Sequence, residues 1–220
     1  MRGRQASAVE RLRHSGSAAS ALTDATPVPL RYGAIVLARH GEPALSRDVM
    51  LNAEGYRAFW AQYEIGGILP GQVPPERLKR FATEAGTLVT STRLRAIQSA
   101  QTVVGDRSFD RHDFLIEAPL PPPHFPGWVR FSPRIWGFVT RVWWWYLNHH
   151  DGQENRAEAE ARADQAAEML IGAAAQGETV VVMAHGFFNH LIGRSLRKQG
   201  WKLVESEGYK YWSMRRWERG

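Results

Sequence analysis

No cysteine occurs among the 220 residues, which excludes a disulfide framework, a thiolate metal site and a cysteine nucleophile. That absence suits a reducing compartment, so a cytoplasmic location is expected. No run of about 20 apolar residues is present either, so no membrane-spanning helix is expected. Acidic residues are scarce in the first 30 positions, which are rich in Ala, Ser and Arg. Organellar transit peptides and plain disordered leaders share that composition. Residues 1–31 are read as a disordered basic leader, and residues 32–220 as one folded domain. Recognition motifs for nucleic acid are also missing, so the formal charge of +6 does not imply a nucleic-acid partner.

What is present is ordinary for a globular chain, with 44% hydrophobic and 23% charged residues and enough length for one sizeable core. The positive excess gathers near the ends, in Arg2, Arg4, Arg11 and Arg13 and in Arg215, Arg216 and Arg219. It suits an anionic partner, whether a phosphate ester or an acidic membrane surface.

Short apolar runs alternate with helical patterns. Ala34–Ala38 reads as a buried strand, and Asn52 is placed to cap a helix over residues 53–60. Glycines and prolines from Gly66 to Pro75 mark a long loop. A strand is expected at Thr87–Thr90, a helix at Leu94–Val104, and a short strand-like run at Phe114–Ile116 ending in Glu117. Five prolines between Pro119 and Pro126 exclude regular structure. Asn155 opens an Ala-rich helix to about Ala175, with Glu158 completing a capping box. Thr179–Ala184 is the clearest strand; a helix over Asn189–Lys198 and a last strand at Tyr209–Ser213 follow. Strand–helix alternation predicts an α/β fold: a mostly parallel sheet with helices on both faces, a three-layer sandwich.

In such sheets ligands bind beyond the carboxyl ends of the strands. Arg39 and His40, Ser91 with Arg95, Glu117, and His185 all fall at or just after predicted strand ends. Together they could process a phosphate monoester. Arg39 and Arg95 offer guanidinium forks for phosphoryl oxygens. A neutral His40 can attack phosphorus to give a phosphohistidine, and a protonated His185 can donate to the equatorial oxygens. Glu117, if partly buried, can protonate the leaving oxygen and later take a proton from water. No metal or cofactor is needed for this scheme, since the arginines supply the charge.

Leu37-Ala38-Arg39-His40-Gly41-Glu42 resembles the Arg-His-Gly signature of the histidine phosphatase (phosphoglycerate mutase-like) superfamily. Leu51-Asn52-Ala53-Glu54-Gly55 is similar to its helix-opening element. Ser91 through Ala100 resembles its Ser-x-x-x-Arg-Ala segment, Gly152–Asn155 is a looser match, and Val182–Gly186 resembles the strand bearing its second histidine. The resemblance implies that His40 is the phosphorylated nucleophile, that Arg39, Arg95 and His185 complete the phosphate pocket with Gly41 and Gly186, and that Glu117 is the proton donor. Where many members carry Asn or Thr after the signature, this chain has Pro43-Ala44-Leu45-Ser46-Arg47, leaving Ser46 or Arg47 as substitutes. The mutase branch's insert around the donor is replaced by prolines and tryptophans.

The expected function is hydrolysis of a phosphate monoester, on a small molecule or a phosphoprotein. Mutase-type phosphoryl transfer, a non-catalytic phosphate-binding role and a membrane-surface module are the alternatives. The Trp-rich segment from Ile135 to Leu147 reads as a helix apolar nearly all round, so it must be covered. It can pack into the core or as a lid, form a homodimer contact, or lie at a membrane interface; core or lid packing is expected. His149, His150 and Asp151 read as a polar turn rather than metal ligands.

Overall fold

The computed structural model describes residues 31–220, so the leader expected over residues 1–31 lies outside the described residues except for Arg31. Two five-residue apolar runs form the middle of the sheet. Strand β1 (Ile35–Arg39) pairs in parallel with β4 (Val180–Ala184), and β4 pairs in parallel with β2 (Thr87–Ser91). A short β3 (Asp110–His112) continues the parallel set beyond β2. On the other side of β1 the sheet turns antiparallel, with β6 (Met214–Glu218) and then β5 (Lys202–Ser206) at the edge. The order is β3-β2-β4-β1-β6-β5.

The central strands are apolar over Ile35–Ala38 in β1 and throughout β4 because both of their faces are covered. Ile35 and Leu37 share one core with Val180 and Val182 beneath α5 (Arg156–Ala174) and α6 (Gly186–Lys198). Val36 and Ala38 share the opposite core with Val181 and Met183 beneath α2 (Glu76–Glu84) and α3 (Leu94–Val104). This is the three-layer α/β arrangement expected from the sequence. Helix α5 begins where the capping box requires: the Asn155 side chain accepts from the Glu158 N–H, and the Glu158 carboxylate accepts from the Asn155 N–H.

A third, smaller cluster joins α1 (Ala53–Ile65), capped by Asn52, to α4 (Pro133–Leu147), capped by Ser132. Trp136 is its centre, and its indole N–H donates to the Leu51 carbonyl at 2.7 Å. The Trp-rich segment is therefore two-faced. Trp136 and Trp144 are fully buried, whereas Phe138 is 68% exposed. Among the described residues, no helix is long and apolar enough to cross a membrane.

Three local expectations need correction, and one helix is additional to them. Residues 76–84, directly after the loop marked from Gly66 to Pro75, form α2, because Leu78 and Ala82 recur at helical spacing and find a core once the chain leaves Pro75. Phe114–Ile116 is not a strand. Asp113–Leu115 is a 3₁₀ turn that drives Leu115 into the core, and pairing with β2 falls to the preceding residues 110–112. Helix α6 starts at Gly186 rather than Asn189, so His185 is itself the N-cap residue. Tyr209–Ser213 forms the turn between β5 and β6, an antiparallel pair that closes through a tight connection.

Glycine at position 193 has a packing reason. A Cβ there would lie 2.6 Å from the Trp217 ring, which is itself buried. Helix propensity favours alanine by about 1 kcal/mol, but overpacking costs about 1–3 kcal/mol and wins here. Gly193→Ala is expected to lower stability, with Tm falling by about 2–4 °C per kcal/mol for a chain of this size. A raised Tm in a thermal melt would show that the helix–sheet contact yields easily.

Candidate active site

The carboxyl ends of β1 and β4 deliver Arg39, His40 and His185 to one place. His40 is 2% exposed and His185 is fully buried, with ring centroids 5.2 Å apart. Nδ1 of His40 lies 2.7 Å from the Gly41 carbonyl. A carbonyl only accepts, so Nδ1 carries the proton and Nε2 keeps its lone pair. Burial, then the Arg95 and Arg39 guanidinium charges, hold the His40 pKa well below the usual imidazole range. The ring is thus neutral, with its nucleophilic nitrogen free.

His185 is also held well below the usual range, by burial first and the Arg95 charge next. The protonated donor expected from the sequence is therefore a neutral imidazole. Its Nε2 lies 2.7 Å from the Ser91 hydroxyl, and its Nδ1 has no partner among the described residues. Ser91 ends β2, so the sheet register itself fixes this contact.

Arg95 has no exposed surface. Its Nη1 donates to the Tyr63 carbonyl at 2.8 Å and its Nη2 to Glu64 at 2.8 Å, and Nε has no partner among the described residues. Glu64 also pairs with Arg93 at 2.7 Å. Arg39 donates to the Tyr209 carbonyl and lies 4.3 Å from the Tyr211 ring centroid. Of the two substitutes considered after the signature, Arg47 reaches the cavity, where Nη2 donates to the Tyr63 hydroxyl at 3.2 Å. Ser46 is exposed and accepts from the Asp48 N–H.

Glu117 is 9% exposed. Its Oε1 accepts from the N–H groups of Phe188 at 2.8 Å and Ala118 at 3.2 Å, and Oε2 from Phe187 at 3.3 Å. The carboxyl group is thereby fastened to the N-terminus of α6, one turn from His185. The two glycines differ. Gly186 lines the cavity, and a Cβ on it would crowd Arg39 at 3.2 Å. The Gly41 N–H is spent on the Ser99 hydroxyl at 2.8 Å, and a Cβ there would meet the Trp212 ring at 2.4 Å. Gly41 therefore shapes the loop by close approach rather than offering its N–H to a ligand. Asn189 donates to the Ala38 carbonyl at 2.9 Å and ties α6 to the end of β1.

These groups surround a cavity of about 440 Å³ that His40, Arg39, Arg95 and Glu117 all line. Helix α1 adds Phe59 and Trp60, and α4 adds Gly137 and Arg141. Sequence reasoning missed Glu64, Tyr63, Gln72 and this aromatic wall. The spacing of Tyr56, Phe59, Trp60 and Tyr63 on one helical face was the only available signal. Among the described residues no group of His, Asp and Glu is arranged to hold a metal; His149 bonds to the Pro122 carbonyl in the proline-rich segment, and His150 to the Gln153 carbonyl within a turn.

Neutral buried imidazoles tie stability to pH. Both folded-state pKa values lie below the unfolded value of about 6.5, so the unfolded chain binds more protons in acid. Their contribution is fully present above about pH 6.5 and is lost as pH falls toward the folded-state values, at up to about 1.4 kcal/mol per pH unit for each ring. Denaturant melts at pH 7.5 and pH 5 should show wild type losing more stability than a His40→Asn/His185→Asn double variant. Equal losses would mean that the rings are not buried in neutral form.

By sequence, the chain matches no protein-family model and no curated protein. By structure it is similar to a phosphoglycerate mutase from Bacillus anthracis, with TM-score 0.53 and 15% identity over 87% of this chain and 91% of that one. It is also similar to a protein described as mycobacterial hydrolase 1, with TM-score 0.50 and 15% identity over 84% of this chain and 96% of that one. Identities this low speak to architecture alone, and this chain has the fold of the phosphoglycerate mutase.

Proposed function

We propose that the chain is a phosphatase that hydrolyses a phosphate monoester through a phosphohistidine on His40 and needs no metal. The observation that carries this reading is the neutral, buried His40, with Nδ1 tied to a carbonyl and Nε2 free, in a cavity lined by arginines and by Glu117.

Arg39, Arg47 and Arg95 attract the phosphoryl dianion and spread its charge, the task a divalent cation performs in other phosphoryl transfers. Nε2 of His40 attacks phosphorus in line as the bond to the ester oxygen breaks. Glu117 gives its proton to that leaving oxygen through Oε2, the oxygen with fewer backbone bonds. The dianion adds negative charge beside His185 and favours a proton on it, so His185 donates to an equatorial oxygen as charge builds there. In the second half, the Glu117 carboxylate takes a proton from water, whose oxygen attacks phosphorus. The P–Nε2 bond breaks, inorganic phosphate leaves, and Glu117 is protonated again for the next cycle.

Turnover of 4-nitrophenyl phosphate in EDTA tests the scheme, with phosphoglycerate isomerisation assayed alongside to detect mutase activity. His40→Ala is expected to lose at least about 10³-fold in kcat, because an attacking group has no replacement. Alkali-quenched wild type should carry a base-stable, acid-labile phosphoryl group that the variant lacks. An active His40→Ala enzyme would end the proposal.

Glu117→Gln discriminates further. With alkyl phosphates, whose leaving oxygen needs a proton, it should lose about 10²–10⁴-fold. With 4-nitrophenyl phosphate the first step should be much less affected, which a pre-steady-state burst of nitrophenolate would reveal. Equal losses in that step on both substrate types would remove Glu117 from the donor role.

A further inference from the structure

The cavity is larger than a phosphoryl group requires, and its remaining walls have an unusual composition. Helix α1 turns one row of rings toward it, with Tyr56, Phe59, Trp60 and Tyr63 at i, i+3, i+4 and i+7. Most of these rings stack on one another: the interplanar angles are 14° for Tyr56 and Phe59, 24° for Phe59 and Tyr63, and 18° for Trp60 and Tyr63, while Tyr56 and Trp60 are tilted by 35°. Phe187 and Tyr209 also line the cavity, as does Arg141, whose guanidinium lies 5.5 Å from the Phe187 centroid.

What the lining omits is equally informative. It contains no Ser, Thr, Asn, Gln, Asp or Lys. The polar groups present are five guanidiniums, His40, His190, Glu117 and the tyrosine hydroxyls. Aliphatic lining is limited to Leu120 and Pro133. Nearly everything else is an aromatic ring or a guanidinium, and both stack on flat π-systems. Helix α4 contributes Gly137, a residue that costs a helix interior about 1 kcal/mol relative to alanine; its bare backbone forms a patch over which the Arg141 guanidinium lies, donating to the Gly137 carbonyl and standing 3.1 Å from where a Cβ would be.

We propose that the body of the substrate is a planar aromatic ring, seated between the α1 ring row and the Gly137 patch while its phosphate sits at His40. The proposal rests on the reading above only in placing the phosphoryl group. Electron-rich rings gain most, because Arg47 and Arg141 face the same space.

The test uses binding, so it does not depend on turnover. Calorimetric titration of the full chain with 3-phenylpropylphosphonate and 3-cyclohexylpropylphosphonate compares a flat ring with a bulkier, more hydrophobic one that cannot stack; methylphosphonate reports the phosphate end alone. Wild type is expected to bind the phenyl compound about 5-fold more tightly than the cyclohexyl one. In Trp60→Leu the ratio should fall toward one. Gly137→Leu, which keeps a strong helix former in α4, should weaken both ring compounds relative to methylphosphonate. Equal or tighter binding of the cyclohexyl compound to wild type overturns the proposal, as does failure of both ring compounds to bind. Preference for the phenyl compound in a protein that hydrolyses no aryl phosphate would sink the phosphatase reading and leave the aromatic slot standing.

Discussion

A guanidinium with no exposed surface must find its counter-charge inside the protein, and Arg95 imposes that demand on everything around the cavity. It sits on α3, directly after β2, while the groups that satisfy it come from the end of α1: the carbonyl of Tyr63 and the carboxylate of Glu64. A helix more than 30 residues earlier in the sequence is thus bolted to the carboxyl edge of the sheet. The same bolt places the α1 ring row along the cavity, and Tyr63 becomes a stacking partner for Arg95 at 4.6 Å. Without Glu64, Arg95 would be a buried unpaired charge, and α1 would lose its strongest polar tie to the site.

The signature loop after β1 is fixed by a second set of contacts. Gln72 accepts from the Glu42 N–H and the Trp212 indole N–H through one oxygen, and donates to the Glu42 and Leu69 carbonyls through its nitrogen. Trp212 is held at φ 63°, a conformation that bulky residues rarely adopt. Its ring occupies the space that a side chain on residue 41 would need. Glycine follows His40 because an indole is packed there, and the indole is held by a glutamine from another loop. The His40 ring inherits its orientation from this arrangement through the Gly41 carbonyl.

The parts of this picture that were legible in the sequence are those written in contiguous residues. Apolar strands ending in Arg39-His40 and in His185, a cap at Asn52 and a capping box at Asn155 are local patterns, and their physics is local too. Residues 110–116 show the limit. Phe114, Leu115 and Ile116 are the apolar run, but pairing with β2 went to Asp110–His112, since the edge of a sheet needs backbone partners rather than apolar side chains. The final strands were illegible for a similar reason. Aromatic residues at 209–213 look like a strand, yet they serve the cavity from a turn. Glu64 and Gln72 gave no signal, because a carboxylate at a helix end and an amide in a loop acquire meaning only from partners about 30 or more residues away.

The cavity as it stands is electrostatically incomplete. Arg39, Arg47 and Arg95 converge near His40, and only Arg95 is neutralised by a carboxylate among the described residues. Like charges held together in a poorly solvated space repel, and the imidazoles respond by shedding their protons. Burial lowers both pKa values most and these cations lower them further, so a buried ring among them keeps a lone pair at a pH where a free imidazole would be partly protonated. Under the proposed function, the same surplus of positive charge would draw a phosphoryl dianion to the ring that attacks it. Adding a carboxylate to neutralise Arg39 or Arg47 would relieve the repulsion and steady the fold. It would also raise the imidazole pKa values and, on that reading, compete with the phosphoryl group, so stability and reactivity would oppose each other at this end of the sheet.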